Sequence, residues 1–552
     1  MPSITVKDFI GANFALDRKT VPLNQATTTS FSRFDRGVVE PEFLPGNTGQ
    51  TLSGSSVKSI YRYNREGNSG NGYWFEWNTD VDVVRGPIAD DPYLRTYFTG
   101  DGVPKMTTIG IAQGGSGPYP AASRDLGLPA PGIITAVGPD TDPYEDTDGE
   151  GNPITVDPAD GNQIISTAYV MTYVSDLGEE GPASPASNIV DRFDGGTVSL
   201  TNLSTPSGAI SVQYKRLYRV ELNGSFQFVA ELSPATTSYN DSVESAALGE
   251  VLPSDGWIAP HPDMIGLTAL PNGILMGWWE NTIAFCEPYQ PHAWPIEYRY
   301  ALDHNVVGAA VTASGVIIGT EGPPYIMSGS APGSMSQNKL DVDLPCIAKN
   351  SVVDMGEYVV YASKDGLVAV GGTNASLISG DKISRDWWET YIYSTADTLK
   401  AERWRNKYLL FFGDSGSSSG LTFHPAEGVV LFPLTDCDAI WREPATDIVY
   451  MAQGQDIVAW AQGPTDNFVW QSSYIQPPPA MPFSCCKIKS DSQGFLEFKW
   501  YTDKGLQKTK TVATNEVFRL PVHARYSTCY FSIDGFEPVH SVQLATSMSD
   551  LT

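Results

Sequence analysis

Several features that restrict structure or function are missing from the 552-residue sequence. No run approaches the roughly eighteen apolar residues of a membrane-spanning helix. The first residues, "MPSITVKDFIGANFALD", lack the basic segment followed by an apolar one that marks a secretion signal. We therefore expect a chain without a membrane span that is made and kept in the cytoplasm.

Cysteine is too sparse for a disulfide scaffold, because the chain has only six and none forms a C-x-x-C pair. The six are Cys286, Cys346, Cys437, Cys485, Cys486 and Cys529. We expect all of them to be buried free thiols.

Basic residues and helical patterns are also scarce. Lys and Arg total 35 against 63 Asp and Glu, which gives a formal net charge of −28. A surface of that charge repels phosphates, so gripping nucleic acid through a basic face is excluded as the main activity. No long stretch carries the apolar stripe of an amphipathic helix, and the best short candidate, Ile383 to Thr390, spans about two turns.

Glycine, proline and aromatic residues are plentiful. The chain contains 52 Gly and 40 Pro, and aromatic residues reach 11% while charged residues make up only 18%. This composition is typical of many short strands joined by tight turns, so we predict an all-β protein. A chain of this length also exceeds a single core, which predicts several domains.

One pattern of strand, polar glycine-containing turn and strand occurs five times. The copies start at Gly273, Gly315, Glu357, Lys407 and Asp447, so successive starts are 42, 42, 50 and 40 residues apart. This is the period of a β-propeller blade, a four-stranded antiparallel sheet of about 40 to 50 residues. Each hairpin has apolar residues on both faces and must pack against a neighbour on each side.

Further strands near the N-terminus extend the predicted ring. The stretches "VKSIYRYN" and "NGYWFEWN" bracket a glycine-rich turn, and "LRTYFTG" follows them. Five late blades and one or two early ones give a propeller of about six or seven blades. Closure of the ring requires strands from the N-terminal and C-terminal parts to meet in one blade.

A different pattern interrupts the ring between residues 129 and 253. Alternating strands there lie about eight to twelve residues apart, which indicates a small β-sandwich. The stretches "TYVSDLGEEGPAS", "YKRLYRV" and "TSYNDS" resemble a fibronectin type III domain. The integrin-type recognition tripeptide of that family is absent, so the resemblance does not imply adhesion.

These boundaries divide the chain into four parts. A proline-rich spacer, "IQPPPAMP", precedes the last group of strands. The predicted parts are N-terminal strands and the first propeller blades (1–128), the inserted fibronectin type III-like sandwich (129–253), the remaining blades (254–475) and a C-terminal β domain (476–552).

Two motifs suggest chemistry, and a structural interpretation is favoured for each. The segment Gly413 to Gly420, "GDSGSSSG", contains the tetrapeptide around the nucleophile of chymotrypsin-like proteases, but no histidine lies in the required upstream setting. We interpret it as a hairpin turn. The segment Asp140 to Glu150 is rich in the oxygen ligands that calcium takes, but Pro143 and Tyr144 break the alternate spacing of a calcium loop. A solvated acidic loop is therefore favoured over a calcium site.

Paired tryptophans are the third candidate. Trp278-Trp279 and Trp387-Trp388 could stack on sugar rings or bases, although packing between blades is the favoured interpretation. The sequence thus assigns no catalytic, cofactor-binding or metal-ligating residue. It predicts a protein that is not an enzyme.

The combination of these parts resembles a known family. An acidic propeller without catalytic motifs, interrupted by a fibronectin-like sandwich and ended by a β domain with "FRLP" and "VQLATSMSDL", is similar to the tail nozzle proteins of short-tailed bacteriophages. These are also called tail tubular protein B or packaged-DNA stabilisation proteins. The opening segment "GANFALDRKTVPLNQATTTSFSRFDRGVVEPEFLP" resembles their N-terminal strands.

The resemblance implies a structural component of the virion tail that is assembled in the host bacterial cytoplasm. It implies a homohexamer that meets the phage adaptor (head-to-tail) ring and the tail fibres or needle. Double-stranded DNA would be retained in the lumen and would pass through it during ejection without specific binding. We expect acidic loops in the lumen to repel phosphates within a Debye length of about 8 Å.

Functions of two other classes stay open at the level of sequence. The Trp-rich blades are compatible with a propeller-type enzyme acting on polysaccharide, with the sandwich as a spacer. A host receptor-binding adhesin would bind whole cells saturably through residues 130–253. A glycan-cleaving monomer of 59.8 kDa would distinguish the enzyme from a ring-forming nozzle.

Overall fold

A computed structural model describes residues 3–157, 163–206, 211–221, 224–477, 482–491, 495–512, 515–521 and 526–551. The protein is all-β, as its composition predicts, and it combines a β-propeller, an inserted β-sandwich and a third β unit. Within the described ranges, no helix is long and apolar enough to cross a membrane.

Helices are few and short. The α-helices are Ile109–Ala112 and Arg385–Tyr391. The second confirms the predicted two-turn segment, and it begins where the Ser384 side chain accepts a hydrogen bond from the backbone N–H of Trp387. The 3-10 helices are Asp35–Gly37, Asn68–Gly70, Ser245–Ala247, Pro271–Gly273, Ile296–Tyr298, Pro332–Ser334, Lys349–Ser351, Tyr393–Thr398 and Met548–Asp550.

Seven sheets form the propeller. Blade 1 contains Ser59–Tyr63 and Tyr73–Trp77. Blade 2 contains Asp82–Arg85, Thr96–Thr99, Lys105–Thr107 and Arg124–Asp125. Blade 3 contains Gly266–Ala269, Leu275–Trp279, Thr282–Phe285 and Arg299–Ala301. Blade 4 contains Val306–Thr312, Gly315–Thr320, Tyr325–Ser328 and Ser336–Lys339. Blade 5 contains Val353–Asp354, Val359–Ser363, Gly366–Gly371 and Asn374–Leu377. Blade 6 contains Lys400–Trp404, Lys407–Phe412, Ser419–His424 and Gly428–Phe432. Blade 7 contains Ala439–Glu443, Ile448–Gln453, Asp456–Ala459 and Gly46–Thr51.

The repeated hairpins occupy equivalent positions in the ring. Each of the five forms the second and third strands of one of blades 3 to 7, which confirms the interpretation of the repeat. Both faces of these strands are buried, because apolar residues on one side pack against the preceding blade and those on the other side against the next.

An N-terminal strand closes the ring. Gly46–Thr51 pairs antiparallel with Asp456–Ala459 and supplies the outermost strand of blade 7. The backbones approach so closely that a Cβ atom on Gly46 would lie 2.7 Å from the carbonyl carbon of Gln462. The predicted meeting of N-terminal and C-terminal strands in one blade is therefore confirmed. Among the residues that the structure describes, blade 1 has two strands and the other six blades have four.

The inserted sandwich lies between blades 2 and 3 and has two sheets. One sheet contains, in spatial order, Thr135–Val137, Val198–Thr201 and Tyr239–Asp241. The other contains Val190–Phe193, Ile164–Ser175, Val212–Glu221 and Gln227–Leu232. A separate hairpin is formed by Tyr144–Thr147 and Pro153–Val156.

The sandwich has two packed antiparallel sheets, of three and four strands, as in the fibronectin type III class. In the larger sheet, the long strand Ile164–Ser175 lies between Val190–Phe193 and Val212–Glu221. The predicted small β-sandwich between the blades is therefore confirmed.

Strands from both ends of the chain form the third unit, which we call the terminal unit (residues 1–45 and 468–552). One sheet contains Val517–Arg519, Cys485–Ser490, Val539–Ala545 and Ser3–Lys7. The other contains Thr28–Ser30, Phe468–Gln471, Cys529–Gly535, Leu496–Thr502 and Gly505–Thr511, and continues from blade 6. Short strands are Ile10–Ala12, Gln25–Ala26, Ser32–Arg33 and Glu40–Pro41.

Candidate functional site at the propeller axis

A cavity of about 260 Å³ lies on the propeller axis. Residues in or next to the first strand of every blade line it, from Lys58 in blade 1 to Trp441 in blade 7. The polar residues around it therefore come from segments that are far apart in sequence and converge only through ring closure.

One ion-pair cluster joins blades 2 and 5. The Lys349 ammonium lies 3.0 Å from an Asp82 carboxylate oxygen and 3.5 Å from one of Asp80. Burial disfavours the charge of Lys349, but the attraction of Asp82 and Asp80 outweighs it and raises the pKa of Lys349. Burial also raises the pKa of Asp82, against the effect of Lys349. The cluster fixes the ammonium at the cavity wall.

Glu402 is a third carboxylate at the cavity, and hydrogen-bond donors of blades 6 and 7 hold it in place. Glu402 accepts hydrogen bonds from the Arg403 backbone N–H at 2.9 Å and from the Arg442 guanidinium at 3.2 Å. Burial raises the pKa of Glu402, and these two donors oppose the shift. Glu402 is thus already paired on its side of the cavity.

A glycine lets an indole ring reach the cavity. Trp278 lies opposite Gly266 in the neighbouring first strand of blade 3, and a Cβ atom on Gly266 would lie 1.9 Å from indole atom Cε2. The ring therefore crosses the innermost strand and lines the axis. Trp278 is 2% exposed, and its Nε1 has no hydrogen-bond partner among the described residues.

The motif that resembles a protease site forms a turn. Gly413 to Ser418 connects the second and third strands of blade 6, and Ser415 is exposed within it. The buried Ser418 hydroxyl donates to Asp436 at 2.7 Å and accepts from the Cys437 backbone N–H at 3.1 Å. These bonds hold the turn in place, which confirms the structural interpretation.

The acidic segment is the exposed hairpin of the sandwich. Asp148 accepts hydrogen bonds within its own turn, from the side-chain amide of Asn152 at 3.0 Å and from the backbone N–H groups of Glu150 and Asn152 at 2.9 Å. The Asn152 amide contributes most to the lowered pKa of Asp148. Over the described ranges, no group of three or more His, Cys, Asp or Glu side chains is arranged to hold a metal ion.

The tryptophan pairs and the cysteines pack in the interior. Trp278, Trp279 and Trp388 are 8% exposed or less, and the fourth ring, Trp387, stacks on Phe14 at 5.0 Å between centroids. All six cysteines are buried and free, as predicted. Both groups are therefore structural.

Ionic contacts attach the sandwich to blade 2. Arg95 pairs with Asp91 at 2.8 Å and with Glu179 of the sandwich at 3.4 Å. Nearby, the buried His292 donates from Nε2 to the Glu180 carbonyl oxygen at 3.1 Å. Burial lowers the pKa of His292 to about 4. Sequence reasoning did not identify this junction, because its residues belong to three separate segments.

Charge is distributed unequally among the three units. The terminal unit carries 13 basic and 12 acidic residues, a net charge of +1. The sandwich carries four basic and 18 acidic residues, a net charge of −14, and the propeller, residues 46–128 and 254–467, carries 18 and 33, a net charge of −15. The excess of acidic over basic residues therefore lies entirely in the propeller and the sandwich.

Comparisons with known proteins give weak similarities. No protein-family model and no curated protein matches the chain. Among solved structures, PorZ, a surface component of the type IX secretion system of Porphyromonas gingivalis, is 10% identical with a TM-score of 0.26, over 54% of this chain and 41% of PorZ. The extracellular domain of a proposed hybrid two-component system from B. thetaiotaomicron is 8% identical with a TM-score of 0.27, over 92% and 59%. The chain spans less than two thirds of both proteins.

An exo-beta-1,3-galactanase from Phanerochaete chrysosporium is also similar. It is 6% identical with a TM-score of 0.18, over 88% of this chain and 100% of the galactanase. At these identities and TM-scores, none of the three proteins supports a functional assignment for this chain.

Proposed function

We propose that the chain is a tail nozzle subunit of a bacteriophage, a structural virion protein whose hexamer retains packaged DNA and passes it during ejection. The distribution of charge carries this proposal. Copies of one chain repel each other least through a unit with little net charge, and the terminal unit, at +1, is the one of the three that meets this condition. Ring contacts through that unit leave the acidic propeller and sandwich free to face DNA.

The passage for DNA lies between copies of the chain. The propeller cavity of about 260 Å³ corresponds to a sphere roughly 8 Å across, whereas the major groove of DNA alone is about 12 Å wide. A duplex therefore cannot follow the propeller axis. A conduit built from this protein requires several copies around a common opening.

The acidic surfaces suit passage without adhesion. A DNA-binding protein gains affinity by neutralising phosphates with Lys and Arg, and this affinity depends strongly on salt. Six copies with a net charge of −28 each instead repel the duplex at short range. The genome then slides through the lumen without being held by its walls.

One edge of the terminal unit is available for a neighbouring copy. Gly505–Thr511 is the last strand of its sheet, and Leu506 on it is 53% exposed. The exposed edge of a sheet, with an apolar side chain upon it, is a favourable surface for another chain. We assign a ring contact to this strand.

Mass photometry tests the proposal with two matched variants. We expect the wild type to form particles of six chains, and Leu506→Glu to dissociate them, because it places a charge in the contact. Ile189→Glu is the control, since Ile189 is 74% exposed on the sandwich, outside the terminal unit. A wild type that stays at 59.8 kDa at micromolar concentration would refute the nozzle, and hexamers of Leu506→Glu would refute the assigned contact.

A further inference from the structure

One sheet of the terminal unit has a positively charged outer face. Its four strands, Ser3–Lys7, Val539–Ala545, Cys485–Ser490 and Val517–Arg519, contain no Asp or Glu. Alternate residues of these strands are buried in the core of the unit. The residues between them lie on the outer face and include four cations, which are Lys7, Lys487, Lys489 and Arg519. We call this surface the basic face.

Carboxylates border the basic face without neutralising it. Asp491 and Glu516 each pair with another side chain, at 2.6 Å and 2.8 Å. Asp8 and Asp550 lie beyond the ends of the strands. Over the described ranges, no ion pair joins any of the four cations to a carboxylate. The face therefore presents its positive charge to other molecules.

An apolar side chain lies among the cations. Val517 is 41% exposed and lies opposite Lys487 in the neighbouring strand. Arg519 follows two residues along the same strand, about 7 Å away. Protein interfaces combine an apolar centre with a polar rim, so a matching partner brings carboxylates around an apolar centre.

The exposed hairpin of the sandwich has that composition. Residues 140–156 contain six Asp or Glu and no Lys or Arg. Tyr144 and Ile154 are 46% and 40% exposed. They lie on one face of the hairpin together with Asp146, because Tyr144 is opposite Val156 and Asp146 is opposite Ile154. We call this segment the acidic hairpin.

The acidic hairpin stands apart from the other sheets. Among the described residues, its two strands pair only with each other. Every residue of these strands except Val156 is exposed. An isolated two-stranded hairpin is at best marginally stable in water, so packing on another surface stabilises it.

The two surfaces lie on opposite flanks of the propeller. The sandwich enters between blades 2 and 3, whereas the terminal unit continues from the outer strand of blade 6. Three blades therefore separate them in either direction around the ring. Neighbouring copies can bring the two surfaces together head to tail, and repetition of such a heterologous contact around an axis closes a ring.

We propose that the acidic hairpin of one copy docks on the basic face of the next copy. This inference rests on the proposed hexamer and gives its terminal unit a second contact. It uses only the projecting hairpin, so the remaining sandwich stays free to face DNA.

The dimensions and chemistry of the two surfaces match. Four paired strands are about 14 Å across, and a hairpin strand of four residues is about 13 Å long. In the contact, Tyr144 and Ile154 cover Val517, and the carboxylates of the hairpin pair with the four cations.

Charge reversal tests the contact by mass photometry. Lys487→Glu with Lys489→Glu reverses the face, and Asp142→Lys with Asp146→Lys reverses the hairpin. Each variant alone should assemble at least about tenfold more weakly than the wild type, because like charges meet in the contact. Lys339→Glu with Lys364→Glu, both on the propeller, is the control with the same change of charge.

An equimolar mixture of the two reversed variants should regain assembly. The reversed hairpin fits the reversed face, and the two unchanged surfaces fit each other, so the copies alternate around a ring of even number. Undiminished assembly of either variant alone, or a mixture that fails to assemble, would overturn the contact. Unchanged assembly of the face variant with loss of binding to a DNA duplex would assign the face to phosphates instead.

Cross-linking separates this contact from the hexamer. A carbodiimide joins a carboxylate directly to an ammonium, and isotope-labelled copies mixed with unlabelled ones identify links between chains. We expect peptides that join the acidic hairpin to Lys487 or Lys489 of another copy. Hexamers without these links would overturn the contact alone, linked assemblies of another number would overturn the hexamer alone, and a wild type that stays a single chain would overturn both.

Discussion

Replacement of Asp241 by Asn should destabilise the sandwich while leaving the propeller intact. The Asp241 carboxylate is fully buried and accepts from Arg219 at 2.7 Å, from Arg192 at 3.1 Å and from the Tyr169 hydroxyl at 2.7 Å. Both guanidiniums are 1% exposed or less. Asn keeps the size of the side chain but removes the charge that compensates two buried cations.

The expected magnitude follows from the loss of this buried carboxylate charge. Breaking a buried ion pair from one side costs about 3–5 kcal/mol, because the remaining charge stays in the interior without a partner. Arg192 loses its carboxylate partner, whereas Arg219 keeps a second pair with Glu221 at 2.9 Å, so we expect the middle of that range, about 4 kcal/mol. For a domain of this size, a loss of that magnitude lowers the unfolding temperature by roughly 15 °C.

Two signals distinguish the sandwich from the rest of the chain. All 13 tryptophans lie outside residues 129–253, so tryptophan fluorescence reports the propeller and the terminal unit, whereas calorimetry reports every unit. For Asp241→Asn we expect one calorimetric transition to move down while the fluorescence transition stays in place. Asp194→Asn is the control, because Asp194 is an exposed carboxylate of the same sandwich that accepts from the Ser245 backbone N–H.

Two results would refute this reasoning. A calorimetric trace of Asp241→Asn that matches the wild type would show that the buried charges are compensated without the carboxylate. Equal downward shifts of both signals would show that the sandwich and the propeller unfold as one unit.

Three further perturbations have defined outcomes. The pKa of His292 is about 4 in the folded chain and about 6.5 in the unfolded chain, so only the unfolded chain binds a proton between these values. The free energy of unfolding therefore falls by up to about 3 kcal/mol as the pH drops from 6.5 to 4. Urea unfolding of His292→Gln at several pH values should lack this part of the pH dependence, and an unchanged pH dependence would contradict the reasoning. Gly266→Ala should lower stability in thermal unfolding by about 1–3 kcal/mol, because its Cβ overlaps the Trp278 indole; a neutral effect would show that the ring is free to move. Arg95→Met leaves the buried Glu179 unpaired and should speed proteolytic release of the sandwich, and an unchanged cleavage rate would argue against the junction.

The positions of the blades were predictable because they are local. Each hairpin, such as the one from Glu357, combines a turn with two apolar strands within about sixteen residues, and its period is visible without knowing any partner. The short helix that begins at Arg385 was predictable for the same reason, since its cap and its tryptophans are adjacent.

The features that could not be predicted from the sequence depend on contacts between segments that are far apart in the chain. Gly46–Thr51 finds its partner in blade 7 about 400 residues later, and nothing in its polar sequence identifies that strand. The strands of the sandwich show their alternating pattern in the sequence, but which strand pairs with which is visible only in the structure. The cavity is unpredictable in the same way, because Lys58, Asp82, Lys349 and Glu402 come from four blades.

Electron cryo-microscopy of the purified protein tests the proposed conduit most directly, through the diameter of the opening between copies. We expect a closed ring of six chains, joined through the terminal units, with an acidic opening wide enough for a DNA duplex. A single 59.8 kDa chain, or a ring whose opening is narrower than the duplex, would contradict it.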